Sequence, residues 1–245
     1  MAEANRAPLP SSVVLAWRTS RERRPGRQPG LTLDRIVAAA IEIADLGGIG
    51  AVSLAKVAEH LGCATTSLYR HVRSKDDLVV LMRDTAGAPP GDMPAPDPDR
   101  WRTSLSGIAW QIFDAYRRHP WVLEVPQIGP PTTPNELLWG ELMLQALART
   151  SLSPDDQLRT LTLINGYVRE QARLAADPVI AAQRPTDGDG PEYFQLLRTV
   201  MTPDRYPMFC RLISSDAIGR SISYTDEDFQ FGLDRIIAGL AELAR

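Results

Sequence analysis

The chain has 245 residues, 44% of them hydrophobic and 23% charged, which suits a compact soluble protein of one large or two unequal domains. Its formal net charge of −3 argues against a general electrostatic adhesive for polyanions. Two cysteines, Cys63 and Cys210, are too few for a disulfide framework and lack the paired spacing of a zinc site, so both are expected to be reduced.

Residues 1–30 carry Arg6, Arg18, Arg21, Arg23, Arg24 and Arg27 against only Glu3 and Glu22, and are punctuated by Pro8, Pro10, Pro25, Gly26, Pro29 and Gly30. Lacking helical periodicity, they read as a flexible basic arm, either simply solvated or engaged with a polyanion. The apolar run 13–17 is too short for a signal-peptide core, and its arginines follow it where a signal peptide would carry the charge first. No other stretch is apolar for long enough to span a bilayer, so no membrane association and a cytoplasmic location are expected.

A first helix is expected after Thr32 as N-cap, with Asp34 in its first turn and Leu33, Ile36, Val37, Ala40, Ile41 and Ala44 at helical spacing, up to Gly47 and Gly48. Ser53 can cap a second helix with the apolar stripe Leu54, Val57, Ala58 and Leu61, which Gly62 ends in a left-handed conformation. A third runs from about Thr65 to His71. In S-K-D-D, the Ser74 hydroxyl can accept from the Asp77 amide while Asp76 and Asp77 meet the positive end of the helix dipole, so a fourth helix starts at Lys75. Residues 87–99, with Pro89, Pro90, Pro94, Pro96 and Pro98, mark the domain boundary. Trp101, Leu105, Ile108, Ile112 and Ala115 then give a helix that Pro120 ends. Further helices are read at about 135–149, 155–176, 192–202, 204–216 and 225–244, with a loop at 184–190 expected to be mobile. With no alternating strand pattern, the fold class is all-α: an arm (1–30), a three-helix helix-turn-helix domain (31–86) and a helical bundle (100–245).

The helix-turn-helix reading has chemical content. A helix in the major groove needs a stable platform and a face of side chains that reach base edges. Leu68 and Val72 would point to the core, leaving Thr65, Thr66, Tyr69 and Arg70 outward; Arg70 can pair with a guanine and a threonine can touch a thymine methyl. Ser67 stands at the edge of this set. Tyr69, His71 and Lys75 suit phosphates, and the amides at the starts of the second and fourth helices offer anion sites beside Ser53 and Lys75. Alternatively Tyr69 is a half-buried core residue and His71 an ordinary surface histidine. Arg24 and Arg27 of the arm are the further candidates for contact with double-stranded DNA.

Residues 32–84, and above all S-L-Y-R-H-V-R-S-K-D-D-L at 67–78, resemble the DNA-binding domain of TetR-family transcriptional regulators. The resemblance implies a homodimer on a palindromic operator, released when a small molecule occupies the second domain. It places Tyr69 and Lys75 at phosphate-contact positions and Thr65, Thr66 and Arg70 at base-facing ones. Two departures stand out: Ala64 sits where a capping serine is common, and Ala55 where some members carry an arginine. The second domain is similar to TetR-type C-terminal domains through H-P-W at 119–121, G-P-P-T-T-P-N at 129–135 and F-Q-F-G-L-D-R at 229–235.

Within helix 155–176, Asn165 interrupts the stripe Leu161, Val168 and Ala172, while Tyr167 and Glu170 interrupt the stripe Leu163 and Leu174. Buried polar groups need partners. An effector in a cavity lined by Trp110, Phe113 and Trp139 would supply them; equally, Glu170 can pair with Arg169 or Arg173 and the aromatics can be plain core. The last helix is apolar on two sides, with Phe229, Leu233, Ile236, Ile237 and Leu240 on one and Phe231, Ala238 and Ala241 on another. Phe229, Phe231, Leu233, Ile237 and Leu240 are accordingly the candidates for a dimer interface built as a four-helix bundle, the alternative being a central helix buried within a monomer. An enzyme is not expected: G-x-S-x-G, G-x-x-x-x-G-K and H-E-x-x-H are all missing, and His60, His71 and His119 are too few and too scattered for a metal cluster. No cofactor is expected. A DNA-binding protein without a ligand is the other reading, though it leaves the second domain without a purpose.

Overall fold

The computed structural model describes residues 10–22, 30–126, 129–177, 192–214 and 225–244. No strand occurs among them, in line with the all-α expectation. The chain forms two compact units, residues 1–161 and 162–245.

Unit one opens on a helix that the sequence pattern did not reveal. Residues Ser11–Glu22 form α1, whose Ser12, Val13 and Ala16 are buried at helical spacing and pack it on the fourth helix of the reading head. The expectation of an arm without helical structure is thus corrected over this stretch. Ser11 donates to Asp77 at 3.0 Å, and the Trp17 indole donates to the Thr132 carbonyl at 2.9 Å. Arg24, Arg27 and the loop at 184–190 lie outside the described residues.

The reading head follows: α2 (Leu33–Gly47), α3 (Leu54–His60), α4 (Thr65–Leu68) and α5 (Lys75–Ala86). Its starts are set by short polar side chains. Thr32, Ser53 and Ser74 accept from the amides of Arg35, Lys56 and Asp77 at 3.3, 3.2 and 3.0 Å. Gly62 turns the chain between α3 and α4 at φ +64° with open space around its Cα, so backbone strain alone decides what can replace it. Gly62→Ala is expected to cost about 1 kcal/mol, read as a lower denaturation midpoint, with the fold retained. Ile36, Ala40, Val57, Leu68, Val72, Leu78 and Met82 form a core that extends to Ala16 of α1 and to Trp121 and Val122 beyond the boundary segment.

The rest of unit one is α6 (Trp101–Arg118), a short turn of helix at Pro120–Leu123, and α7 (Pro134–Leu147), which packs on α6. The long helix α8 (Pro154–Ala176) leads into unit two, which holds α9 (Glu192–Val200), α10 (Pro207–Ile213) and α11 (Asp226–Leu243). The helices read at 192–202 and 204–216 are therefore shorter than expected, and the third helix of the reading head ends at Leu68, three residues early.

Candidate nucleic-acid interface

The reading face is set by what lies behind it. Leu68 and Val72 are completely buried, so the short α4 and the turn after it are pinned from below, as the spacing required. Tyr69 is 54% exposed, which removes the half-buried core alternative for that residue, and Thr66, Arg70 and Lys75 are exposed beside it. Thr65, Ser67 and His71 are half-buried, and Ser53 is half-buried with its hydroxyl occupied by the α3 amide. The structure thus exposes Thr66, Tyr69, Arg70 and Lys75 beside the buried Leu68 and Val72, with Tyr69, Arg70 and His71 lining one cleft. Ala64 precedes α4 without a side-chain hydrogen bond, and Ala55 is exposed, so neither replaces the contact that the resemblance led one to look for.

Two further arginines lie beside this surface: Arg18, which the sequence offered as one charge of a basic arm, and Arg73, which did not stand out in it. Arg73 lies in the turn before α5, and Arg18 is carried by α1; both line a cleft of about 360 Å³ with Ser11, Val14, Tyr69, Arg70 and His71. The signal for Arg18 was present in Val13, Ala16 and Trp17 at i, i+3 and i+4, but the surrounding prolines and arginines obscured it.

Four polar ties anchor the reading head within unit one. Asp45 of α2 accepts from His119 Nδ1 at 2.8 Å and from the Trp121 indole at 2.7 Å, which is the work of the H-P-W motif. At the end of α5, Asp84 accepts from the Asn135 amide nitrogen at 2.8 Å and from its side-chain nitrogen at 3.0 Å, and that side chain also donates to the Asp84 carbonyl. Arg83 pairs with Glu136 at 2.7 Å, and the Trp139 indole donates to the Gly87 carbonyl at 2.6 Å. Burial pushes the Asp84 carboxyl above its ordinary value, against the pull of the Thr133 hydroxyl and the Asn135 amide.

The effector candidates fall into different settings. Trp110 and Phe113 meet edge to face at 5.7 Å, with Phe113 buried. Trp139 is buried and spends its N–H on Gly87. Asn165 and Glu170 are exposed in the single chain, contrary to the expectation that both interrupt buried stripes; Glu170 pairs with Arg173 at 2.6 Å, which lowers its carboxyl below the usual range. Ile164, Val168 and Ala172 form the buried side of α8 instead. Tyr167 stacks on Phe229 at 5.5 Å and donates to the Phe229 carbonyl at 2.7 Å. Of the dimer candidates, Phe229, Leu233, Ile237 and Leu240 are buried within the chain itself, so they face their own unit. Phe231 alone remains exposed, under the Arg235 guanidinium at 3.7 Å.

A buried platform, a tight left-handed turn and an exposed face of hydroxyl, phenol and guanidinium groups define a helix-turn-helix regulator. Residues 36–82 match the profile of bacterial regulatory proteins of the tetR family, and residues 93–244 that of the tetracyclin repressor-like C-terminal domain. The chain belongs to the TetR family of transcriptional regulators. It is 35% identical to the HTH-type transcriptional repressor DrrR1 of Streptomyces coeruleorubidus over 95% of this chain and 85% of that one. An HTH-type transcriptional regulator of Saccharopolyspora erythraea is 31% identical over 60% of this chain and 62% of its own length. Among solved structures, the Streptomyces coelicolor TetR family protein ActR matches with a TM-score of 0.71 both in complex with (S)-DNPA and in complex with actinorhodin. Identity is 26% and 25%, over 89% of this chain and 100% and 98% of those chains.

Proposed function

We propose that the protein is a cytoplasmic homodimeric repressor that binds a palindromic operator through paired copies of the α4 face and lets go when a small organic molecule occupies the second domain. The observation that carries the DNA half is the exposed set Thr66, Tyr69, Arg70 and Lys75 held over the fully buried Leu68 and Val72. Two such faces about 34–36 Å apart fit successive major grooves, which one chain alone cannot do. Exposed apolar residues on α8 and α11, Leu163 and Phe231, offer the surface for a twofold partner. The effector half is supported by ActR, solved with two organic ligands, and repression by the likeness to DrrR1. Trp110, Phe113, Trp139, Asn165, Tyr167 and Glu170 remain the residues assigned to the effector. Residues 31–86 and 100–245 are the corresponding functional domains, and the chain is read as non-enzymatic. Effector and operator prefer different dimer conformations, so each weakens the other by the same factor.

Selection of binding sites from random duplexes, followed by gel shifts, tests this directly. A recovered palindrome with one dimer bound supports the reading, and its release by a titrated small molecule completes it; no enriched sequence would sink it. Arg70→Ala is expected to relax discrimination at one base pair of each half-site by about 1–3 kcal/mol. An equal loss on every duplex would move Arg70 to the phosphate contacts.

A further inference from the structure

We propose that the cleft between α1 and the reading head is a phosphodiester clamp, with Arg18 as its added cation, so that α1 is part of the DNA-binding surface. The proposal rests on the DNA-binding reading above. Arg18, Arg70 and Arg73 gather in one cleft of about 360 Å³ together with His71, against a single carboxylate, Asp77, which already accepts from Ser11. None of the three guanidiniums is paired with a carboxylate among the described residues. Like charges crowded together repel, and an arriving anion turns that cost into attraction. This local excess is notable in a chain whose net charge is −3.

The wall opposite Arg18 decides which anion fits. It is made by Tyr69 and Arg70, both exposed on the reading face, so a duplex seated on α4 carries its sugar–phosphate backbone past the mouth of the cleft. Val14 and Leu15 add an apolar side that suits the sugar edge rather than water. Arg18 is placed with little freedom of its helix, because Val13 and Ala16 on the opposite face are 5% and 3% exposed and Trp17 is tied to Thr132. A guanidinium on this rigid mount matches phosphate with a planar fork of donors.

Operator affinity is measured against salt concentration for the full-length wild type, Arg18→Ala and Arg159→Ala, on the selected operator duplex and on a random-sequence duplex of equal length. Arg18→Ala is expected to weaken both duplexes by the same factor, roughly tenfold at 0.1 M salt, and to reduce the slope of log affinity against log salt by about 0.9 per protomer. Arg159→Ala, a charge on α8 away from the cleft, is expected to leave the slope as it is, and an unchanged melting temperature for Arg18→Ala excludes an effect through folding. Wild-type slope and affinity in Arg18→Ala would overturn the clamp while leaving the regulator reading intact. Loss on the operator alone would overturn it too, making Arg18 a reader of bases. If the wild type binds neither duplex, both readings fall. A small-anion site is separated by titrating inorganic phosphate without DNA in a calorimeter: saturation at millimolar phosphate, with the DNA salt slope indifferent to Arg18, would overturn the DNA occupant.

Discussion

Gly232→Val is expected to lower the melting temperature by roughly 2–12 °C, the consequence of an overpacking cost of about 1–3 kcal/mol. A Cβ on Gly232 would lie 2.7 Å from Tyr167 Cζ and directly on its hydroxyl oxygen. The ring has little room to retreat. It stacks on Phe229 with 20° between the planes, and its hydroxyl donates to the Phe229 carbonyl and, at 3.3 Å, to that of Asp228. The glycine of F-Q-F-G-L-D-R is therefore the seat into which α8 inserts its tyrosine. A double-mutant cycle makes the cause explicit. Tyr167→Ala alone loses the stack and the hydrogen bond, but in that background Gly232→Val adds little, giving a coupling of at least about 1 kcal/mol. Tyr167→Phe brings no such relief, because the ring carbons clash as well as the hydroxyl. Thermal unfolding of the single and double variants checks this; additive losses would mean that Gly232 matters for some reason other than Tyr167.

That seat was hard to see in the sequence, and the reason separates what was legible from what was not. Ser53, Gly62 and Ser74 act on amides or on backbone angles within three residues of themselves, so the limits of α3 and α5 could be read almost directly. The same holds for the reading face, since burial of Leu68 and Val72 determines what its neighbours expose. Helical spacing also showed that α8 and α11 each have two faces. It could not show which face meets which neighbour. Spacing places Asn165 and Glu170 on apolar stripes, yet Ile164, Val168 and Ala172 take the inward side and Glu170 pairs with Arg173, the alternative that the sequence also offered. In α11 the stripe Phe229, Leu233, Ile237 and Leu240 is buried within the chain, and Phe231 is exposed. The contacts that mount the reading head are the least local: Asp45 reaches across 74 residues to His119, and Asp84 across 51 to Asn135. No periodicity encodes such pairs. For α1, a three-residue apolar stripe amid prolines and arginines gave too weak a signal, and its helix is stabilised by packing on α5 rather than by propensity.

Asn135→Ala is expected to cost about 2–4 kcal/mol of stability, more at neutral pH than in acid. Its side-chain nitrogen holds both a carboxylate oxygen and the backbone carbonyl of Asp84, whose residue is only 7% exposed. Removing that donor leaves the buried charge with the Thr133 hydroxyl and the backbone amides of residues 135 and 136, and charge-assisted hydrogen bonds are worth about 1.5–3 kcal/mol each. The pH dependence follows from the direction of the Asp84 shift. Burial already raises its folded-state value above the unfolded one, so ionised Asp84 detracts from stability above the raised value, and that cost is relieved as pH falls through it. Deleting the Asn135 donor raises the folded value further and widens this window. The deficit of the variant is therefore full above the variant's raised value, shrinks as pH falls through the raised folded-state values, and has reached its minimum near the ordinary carboxylate value. Chemical denaturation at pH 7.5 and at about pH 4, for wild type and variant, measures it. Because the tie clamps the end of α5 to the start of α7, the variant is also expected to loosen the mount of the reading head and weaken operator binding beyond the unfolded fraction. Equal deficits at both pH values would show that Asn135 acts through packing and not through the Asp84 charge.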